Sequence, residues 1–204
     1  MQVSLVFARE DIYFAFLLAK SHSSNIMTFE TPANENGRPA LQQEYTYGTT
    51  RLKLYRIRRT QILPTTIESA WEFFSSPLNL PGITPPWLNL EVVSPDTGEM
   101  FPGMVICYRV TPLAGIPLTW ITEITHFEKH RYFVDEQRFG PYRFWHHQHF
   151  FMPVGRGVEI TDTVHYGFAF GPFGRLAHAL IIRQKLAEIF DFRHNRLKAL
   201  FHDS

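Results

Sequence analysis

The feature that most constrains this chain is an ordered run of six short β-rich segments that ends in one long amphipathic stretch. The segments are LNLEVVSP (88–95), GMVICYRVTP (103–112), LTWITEITHFEK (118–129), RYFVDEQRF (131–139), YRFWHHQHFFMPV (142–154) and GVEITDTVHYGFAF (157–170). β-Branched and aromatic residues alternate with polar ones inside them. Gly, Pro or short polar turns separate them, which is the pattern of consecutive antiparallel hairpins. A seventh extended segment, Leu52–Leu63, comes earlier and stops at Pro64. Behind it Thr65 or Thr66 can cap a helix, TIESAWEFFSS, whose Ile67, Ala70, Trp71 and Phe74 share one face. SPLNLPGITPPWL then carries four prolines and predicts a short turn or half-helix and a loop.

The closing stretch, about Phe173 to Phe201, predicts one helix of about 29 residues, roughly 43 Å long at 1.5 Å per residue. Leu176, Leu180, Ala187, Phe190, Leu197 and Phe201 run along one side, widened by Ile182, Leu186, Ile189 and Leu200. Arg183, Lys185, Arg193, Arg196 and Lys198 are assigned to a solvated face. An antiparallel sheet with one apolar face and a helix long enough to cross it bury each other when the sheet curls around the helix. The expected class is therefore α+β, with a curved antiparallel sheet of about seven strands wrapped around a long C-terminal helix.

Composition narrows the function. With 204 residues and 45% hydrophobic content, the chain supports one sizeable core. Aromatics reach 15%, enough to line a cavity as well as to fill a core. Lys plus Arg (20) nearly cancels Asp plus Glu (19), so no nucleic acid partner is expected. A single cysteine, Cys107, excludes an intramolecular disulfide framework and any multi-cysteine zinc site. The apolar run Ile12–Ala19 falls short of the ~20 residues that span a bilayer, so no integral membrane segment is expected. The preceding MQVSLVFARED contains acids and no clear cleavage site, so the expected location is cytoplasmic.

Two regions are expected. Residues 1–50 form an N-terminal extension, with a short helix near 1–20 and a loop or disordered linker over 28–50. Met27 offers a second start, so residues 1–26 read either as a genuine helix or as sequence upstream of the start. Residues 51–204 form the folded domain.

Hairpin register places the site. A turn around Gly155-Arg156 pairs Val154 with Gly157, and then His149 faces Asp162, His147 faces Val164, Trp145 faces Tyr166 and Phe151 faces Ile160. Val158, Ile160, Val164, Tyr166 and Phe168 share the apolar face of the last strand, which carries Asp162, His147 and His149 inward with it. His146, Gln148 and His165 then point outward. By alternation Phe133, Asp135, Gln137 and Phe139 point inward on one neighbouring strand, as do Trp120, Thr122, Ile124 and His126 on the next. An otherwise aromatic interior thus holds Asp135, Gln137, His147, His149 and Asp162.

This element order resembles the helix-grip fold of the START/SRPBCC superfamily over about residues 52–201. FVDEQ (133–137), GPY (140–142), WHHQHF (145–150) and DTVHY (162–166) resemble a bacterial SRPBCC subfamily described as cyclase/dehydrase-like or cell-division-inhibitor-like. The superfamily resemblance implies an enclosed cavity between sheet and C-terminal helix that takes lipids, polyketides, sterols or other apolar molecules. Some members catalyse reactions there.

Three roles for the inner polar group follow. The residues satisfy one another as buried charges must. Alternatively, they hydrogen-bond the polar end of an apolar ligand, with Trp120, Phe133, Asp135, Gln137, Trp145, His147, His149, Phe151, Asp162 and Tyr166 as the binding residues. The third role is catalytic, with His147, His149 and Asp162 moving protons in a cyclase- or dehydratase-type reaction. His147, His149 and Asp162 also have a facial metal-ligand spacing, but no metal or other cofactor is expected. LPGITPPWL (80–88) is the candidate apolar loop for a lipid-chaperone role resembling the coenzyme Q-binding branch.

Overall fold

A computed structural model of the protein describes residues 43–47, 50–94, 98–112, 115–168 and 181–202. Among these residues the sheet has eight strands: β1 (Gln43–Tyr47), β2 (Thr50–Leu63), β3 (Glu91–Val92), β4 (Val105–Val110), β5 (Leu118–Glu128), β6 (Tyr132–Phe139), β7 (Phe144–Val154) and β8 (Gly157–Gly167). Their order across the sheet is β1-β2-β8-β7-β6-β5-β4-β3. Every neighbouring pair is antiparallel. Helix α1 (Ile67–Ser75) and two 3-10 turns, Pro77–Ile83 and Pro86–Leu88, follow β2. Helix α2 (Arg183–His202) closes the fold.

The sheet begins earlier than expected. β1 lies inside the 28–50 stretch read as a linker and pairs with β2 from Gln43↔Leu54 to Tyr47↔Thr50. Its partner strand supplies the order that its own polar sequence does not announce. The helix expected near residues 1–20 lies outside the described residues. So does the start of the closing helix near Phe173, and α2 as described is 20 residues long. The 88–95 segment keeps only Glu91–Val92 as a strand, because Leu88 belongs to a 3-10 turn.

Helix α1 forms where Pro64 ends β2. Thr66 caps it, its Oγ1 accepting the Ser69 backbone N–H at 3.2 Å, with Glu68 favourably placed in the first turn. The buried face of α1 carries Ala70 and Trp71. The Trp71 ring meets Phe127, Phe133 and Phe151 edge-on, at centroid distances of 5.3, 6.0 and 5.4 Å.

Helix α2 lies on the inner face of the sheet through Leu186, Phe190, Arg193, Leu197 and Phe201. These are spaced by three or four residues, so they form one stripe. The stripe is rotated from the one read in the sequence: Leu186 is buried, Ala187 only partly, and Leu200 is exposed. Arg193, assigned to the solvated face, is buried at 8% exposure. Polar contacts tie α2 to β2, where Gln61 Nε2 donates to the His194 carbonyl at 3.0 Å and Arg59 lies 3.6 Å from Asp191.

Two irregularities in the β5–β6 pair correct the simple alternation. Thr125 is an extra residue between the pairs Ile124↔Asp135 and His126↔Val134. This bulge turns His126 to the exposed face and Phe127 inward against Trp71. Arg138 is the extra residue between Gln137↔Thr122 and Phe139↔Ile121. Phe139, expected inside, is consequently 54% exposed.

Candidate functional site

The β7–β8 hairpin has the register expected from its turn, from Val154↔Gly157 to Phe144↔Gly167. His149 is therefore the strand partner of Asp162, while β6 sets Asp135 opposite His147. Four ionisable side chains from three adjacent strands meet on the inner face. His147, His149 and Asp162 are buried, and Asp135 is partly buried.

The contacts form a closed ring in which each imidazole touches both carboxylates. His147 Nε2 lies 3.2 Å from Asp162 Oδ1, and its Nδ1 lies 3.3 Å from Asp135 Oδ2. His149 Nε2 lies 3.1 Å from Asp135 Oδ2, and its Nδ1 lies 2.7 Å from Asp162 Oδ1. The aligned hydrogen bonds are the diagonal ones, His147 to Asp162 and His149 to Asp135. The short approach of His149 Nδ1 to Asp162 is an ion-pair contact that lies off the hydrogen-bond axis. The two rings touch, with centroids 3.8 Å apart. Trp145 Nε1 adds a donor to Asp135 Oδ1 at 3.3 Å, and Phe133 stacks on His149 at 4.2 Å.

Electrostatics assign charges to the ring. Burial alone would push the Asp135 and Asp162 carboxyls up, but the charges and hydrogen bonds of the two imidazoles outweigh it and hold both below the usual carboxylate range. Burial opposes the charged form of His149, yet the charges of Asp162 and Asp135 and the hydrogen bond that His149 makes to Asp135 raise its pKa. Asp135, Asp162 and His149 are thus ionised together. The buried Tyr108 hydroxyl is pushed upward by burial and by the Asp135 charge, against a smaller pull from Thr122 and Arg193.

In front of this ring lies a cavity of about 490 Å³. Asp135, His147 and His149 form part of its wall, together with Trp120, Phe133 and Trp145. Asp162 stands behind the histidines, out of the cavity lining. Phe151 and Tyr166 lie in the core around it. Gln137 is spent on the β6–β7 turn: its Nε2 donates to the Tyr142 carbonyl and its Oε1 accepts the Tyr142 N–H at 3.3 Å. Of the apolar side read on the closing helix, Leu186, Ile189 and Phe190 line the cavity, Ala187 does not, and Leu180 lies outside the described residues.

The lining also includes Tyr108, Tyr142 and Arg193, which sequence reasoning did not place there, and Leu80 and Trp87 from the 80–88 loop read as apolar. Trp87 is 38% exposed and carries Lys185 Nζ 4.4 Å above its ring. A signal for Arg193 was present, since it sits three residues after Phe190 and four before Leu197 on the apolar stripe. Donor atoms of Asp135, His147 and His149 lie within 4.8 Å of one another, so these groups also have the reach to hold a cation in place of shared protons.

Solved structures give the same architecture. Protein Ms6760 from Mycobacterium smegmatis superposes with a TM-score of 0.52 at 18% identity, over 79% of this chain and 97% of that one. CV1439 from Chromobacterium violaceum gives 0.55 at 15% identity, over 72% and 96%. Ginseng major latex-like protein 151 from Panax ginseng gives 0.54 at 12% identity, over 72% and 97%. The chain has the helix-grip fold. This is the architecture of the START/SRPBCC superfamily, which the sequence resembles. No protein-family profile and no curated protein matches the chain. Among the described residues of this helix-grip chain, no helix is long and apolar enough to cross a membrane.

Proposed function

We propose that this helix-grip protein binds an apolar small molecule, a lipid, polyketide or similar compound, in the cavity between the sheet and α2. The observation that carries this reading is the cavity itself. Its roughly 490 Å³ fall within the ~300–1,000 Å³ of ordinary ligand sites, and its lining is mostly apolar and aromatic side chains with a minority of polar ones. Asp135, His147 and His149 would hydrogen-bond a polar group on the ligand. Native mass spectrometry of freshly purified protein tests this directly. A co-purified apolar adduct, or saturable uptake of a hydrophobic dye, is expected. A ligand-free mass together with no saturable binding of any apolar probe rejects the reading.

A second reading is favoured by the ring's proximity to this space. His147 and His149 face the cavity, and Asp162 backs both of them and holds their orientation. A carboxylate-oriented imidazole at an apolar site is suited to general acid–base work of the cyclase or dehydratase type. The two readings separate on His147→Ala: binding survives with weakened affinity, whereas proton-transfer catalysis does not.

A further inference from the structure

We infer that the ligand of this cavity is an apolar monocarboxylic acid whose carboxylate is received by Arg193. This names the ligand class of the site proposed above and rests on that reading.

Arg193 sits on the stripe by which α2 meets the sheet and lines the cavity. Its guanidinium lies over the Phe190 ring, 5.3 Å from Cζ to the ring centroid. Among the described residues its Nε has no hydrogen-bond partner, and no carboxylate pairs with it. A guanidinium stays charged and offers only donors. A buried charge without a partner is strongly disfavoured, so the partner is to be sought in what fills the cavity.

The neighbouring charges are already taken. Asp135 and Asp162 are each shared between two imidazoles, and Lys185 pairs with Glu188 at 2.7 Å. Trp120 Nε1, also in the cavity wall, is a second buried donor without a partner among the described residues. The third such atom, His149 Nδ1, has Asp162 Oδ1 beside it. The wall therefore presents an uncompensated cation and a free N–H, and both call for acceptors. A carboxylate supplies two acceptor oxygens and one negative charge in a shape that the guanidinium fork matches. A phosphate monoester would bring a second negative charge into a space that Asp135 also faces. The remaining lining, including Ile106, Val110 and Ile189, suits an apolar body behind the carboxylate.

The test is a tryptophan-fluorescence titration of the full chain with dodecanoic acid, dodecanol and dodecyl phosphate, repeated with naphthylacetic acid and naphthylethanol. The expected result is that each acid binds the wild-type protein at least about tenfold tighter than its alcohol, a difference of about 1.4 kcal/mol. Arg193→Met should bring the acid to the level of the alcohol and leave alcohol binding within about twofold, with Arg193→Lys in between. Equal wild-type affinity for acid and alcohol overturns the carboxylate assignment and leaves the apolar-binding reading standing, and it does so without any variant. Tighter binding of dodecyl phosphate than of dodecanoic acid also overturns it. Equal losses of acid and alcohol in Arg193→Met show that Arg193 only shapes the pocket, with the same consequence. If no probe binds, both readings fall.

Discussion

His149 Nε2 lies 3.1 Å from Asp135 Oδ2, a residue diagonal to its own strand partner, Asp162. Sheet register sets His149 opposite Asp162, but the aligned hydrogen bond runs across to β6. The matching diagonal from His147 to Asp162 closes a ring that spans β6, β7 and β8. Such a ring stiffens the inner face, because a slip of β6 or β8 would break that strand's contacts to both histidines, and a slip of β7 would break all four.

Removing one carboxylate should expose this coupling. Asp162→Ala leaves His147 and His149 to share Asp135, and should cost about 3 kcal/mol of stability. His165→Ala, on the outer face, should stay within about 0.5 kcal/mol. Urea unfolding of both variants checks the contrast, and equal losses would remove the case for an inner polar ring.

The histidines should titrate in opposite directions. His149 is raised, because its two carboxylate partners outweigh burial. His165 is lowered to about 4, by burial and by the nearby His146 and Arg56. NMR of the imidazole resonances should therefore show His165 neutral down to about pH 4 and His149 charged past the ordinary value near 6.5.

Stability should depend on pH from both sides. The stabilisation from His149, whose folded pKa is raised, is fully present below its unfolded pKa and is lost as pH rises through the folded value. Asp135 and Asp162, with lowered folded pKa values, contribute above their unfolded pKa of about 3.9 and lose that contribution as pH falls through the folded values. His165, with its folded pKa lowered, subtracts stability as pH falls from about 6.5 toward 4. Melting temperature should accordingly peak in the weakly acidic to neutral range. Abolishing His149 by His149→Gln should flatten the alkaline arm.

Trp71 joins α1 to the sheet through edge-on ring contacts with Phe127, His130, Phe133 and Phe151. Trp71→Ala should destabilise the fold by about 3–5 kcal/mol, since it removes the ring and leaves a cavity among Phe127, Phe133 and Phe151. Chemical unfolding followed by circular dichroism measures this.

Filling the cavity should separate binding from folding. Ile189 is half-buried on α2 and lines the space, so Ile189→Trp would set an indole into it. Dye or acid affinity should fall at least about tenfold while the circular dichroism spectrum is kept. Unchanged affinity would place the ligand elsewhere.

Local sequence alone settled the β7–β8 hairpin. Its Gly155 turn and the apolar parity of Val158, Ile160, Val164 and Tyr166 allow one register, because a slip by one residue would expose that whole face. The inward placement of His147, His149 and Asp162 follows from the same constraint. The helix cap was likewise legible to within one residue, Thr65 or Thr66, because a cap depends only on its nearest neighbours. Tertiary structure decided the rest. Thr125 and Arg138 became extra residues only through the pairing of β5 with β6, and alternation within one strand carries no record of such a bulge. The polar β1 found its place as an edge strand only because β2 offered it hydrogen bonds. Arg193 reads as solvated from its charge, yet the rotation of α2 that buries it is set by packing over the whole sheet, a sum of contacts distant in sequence.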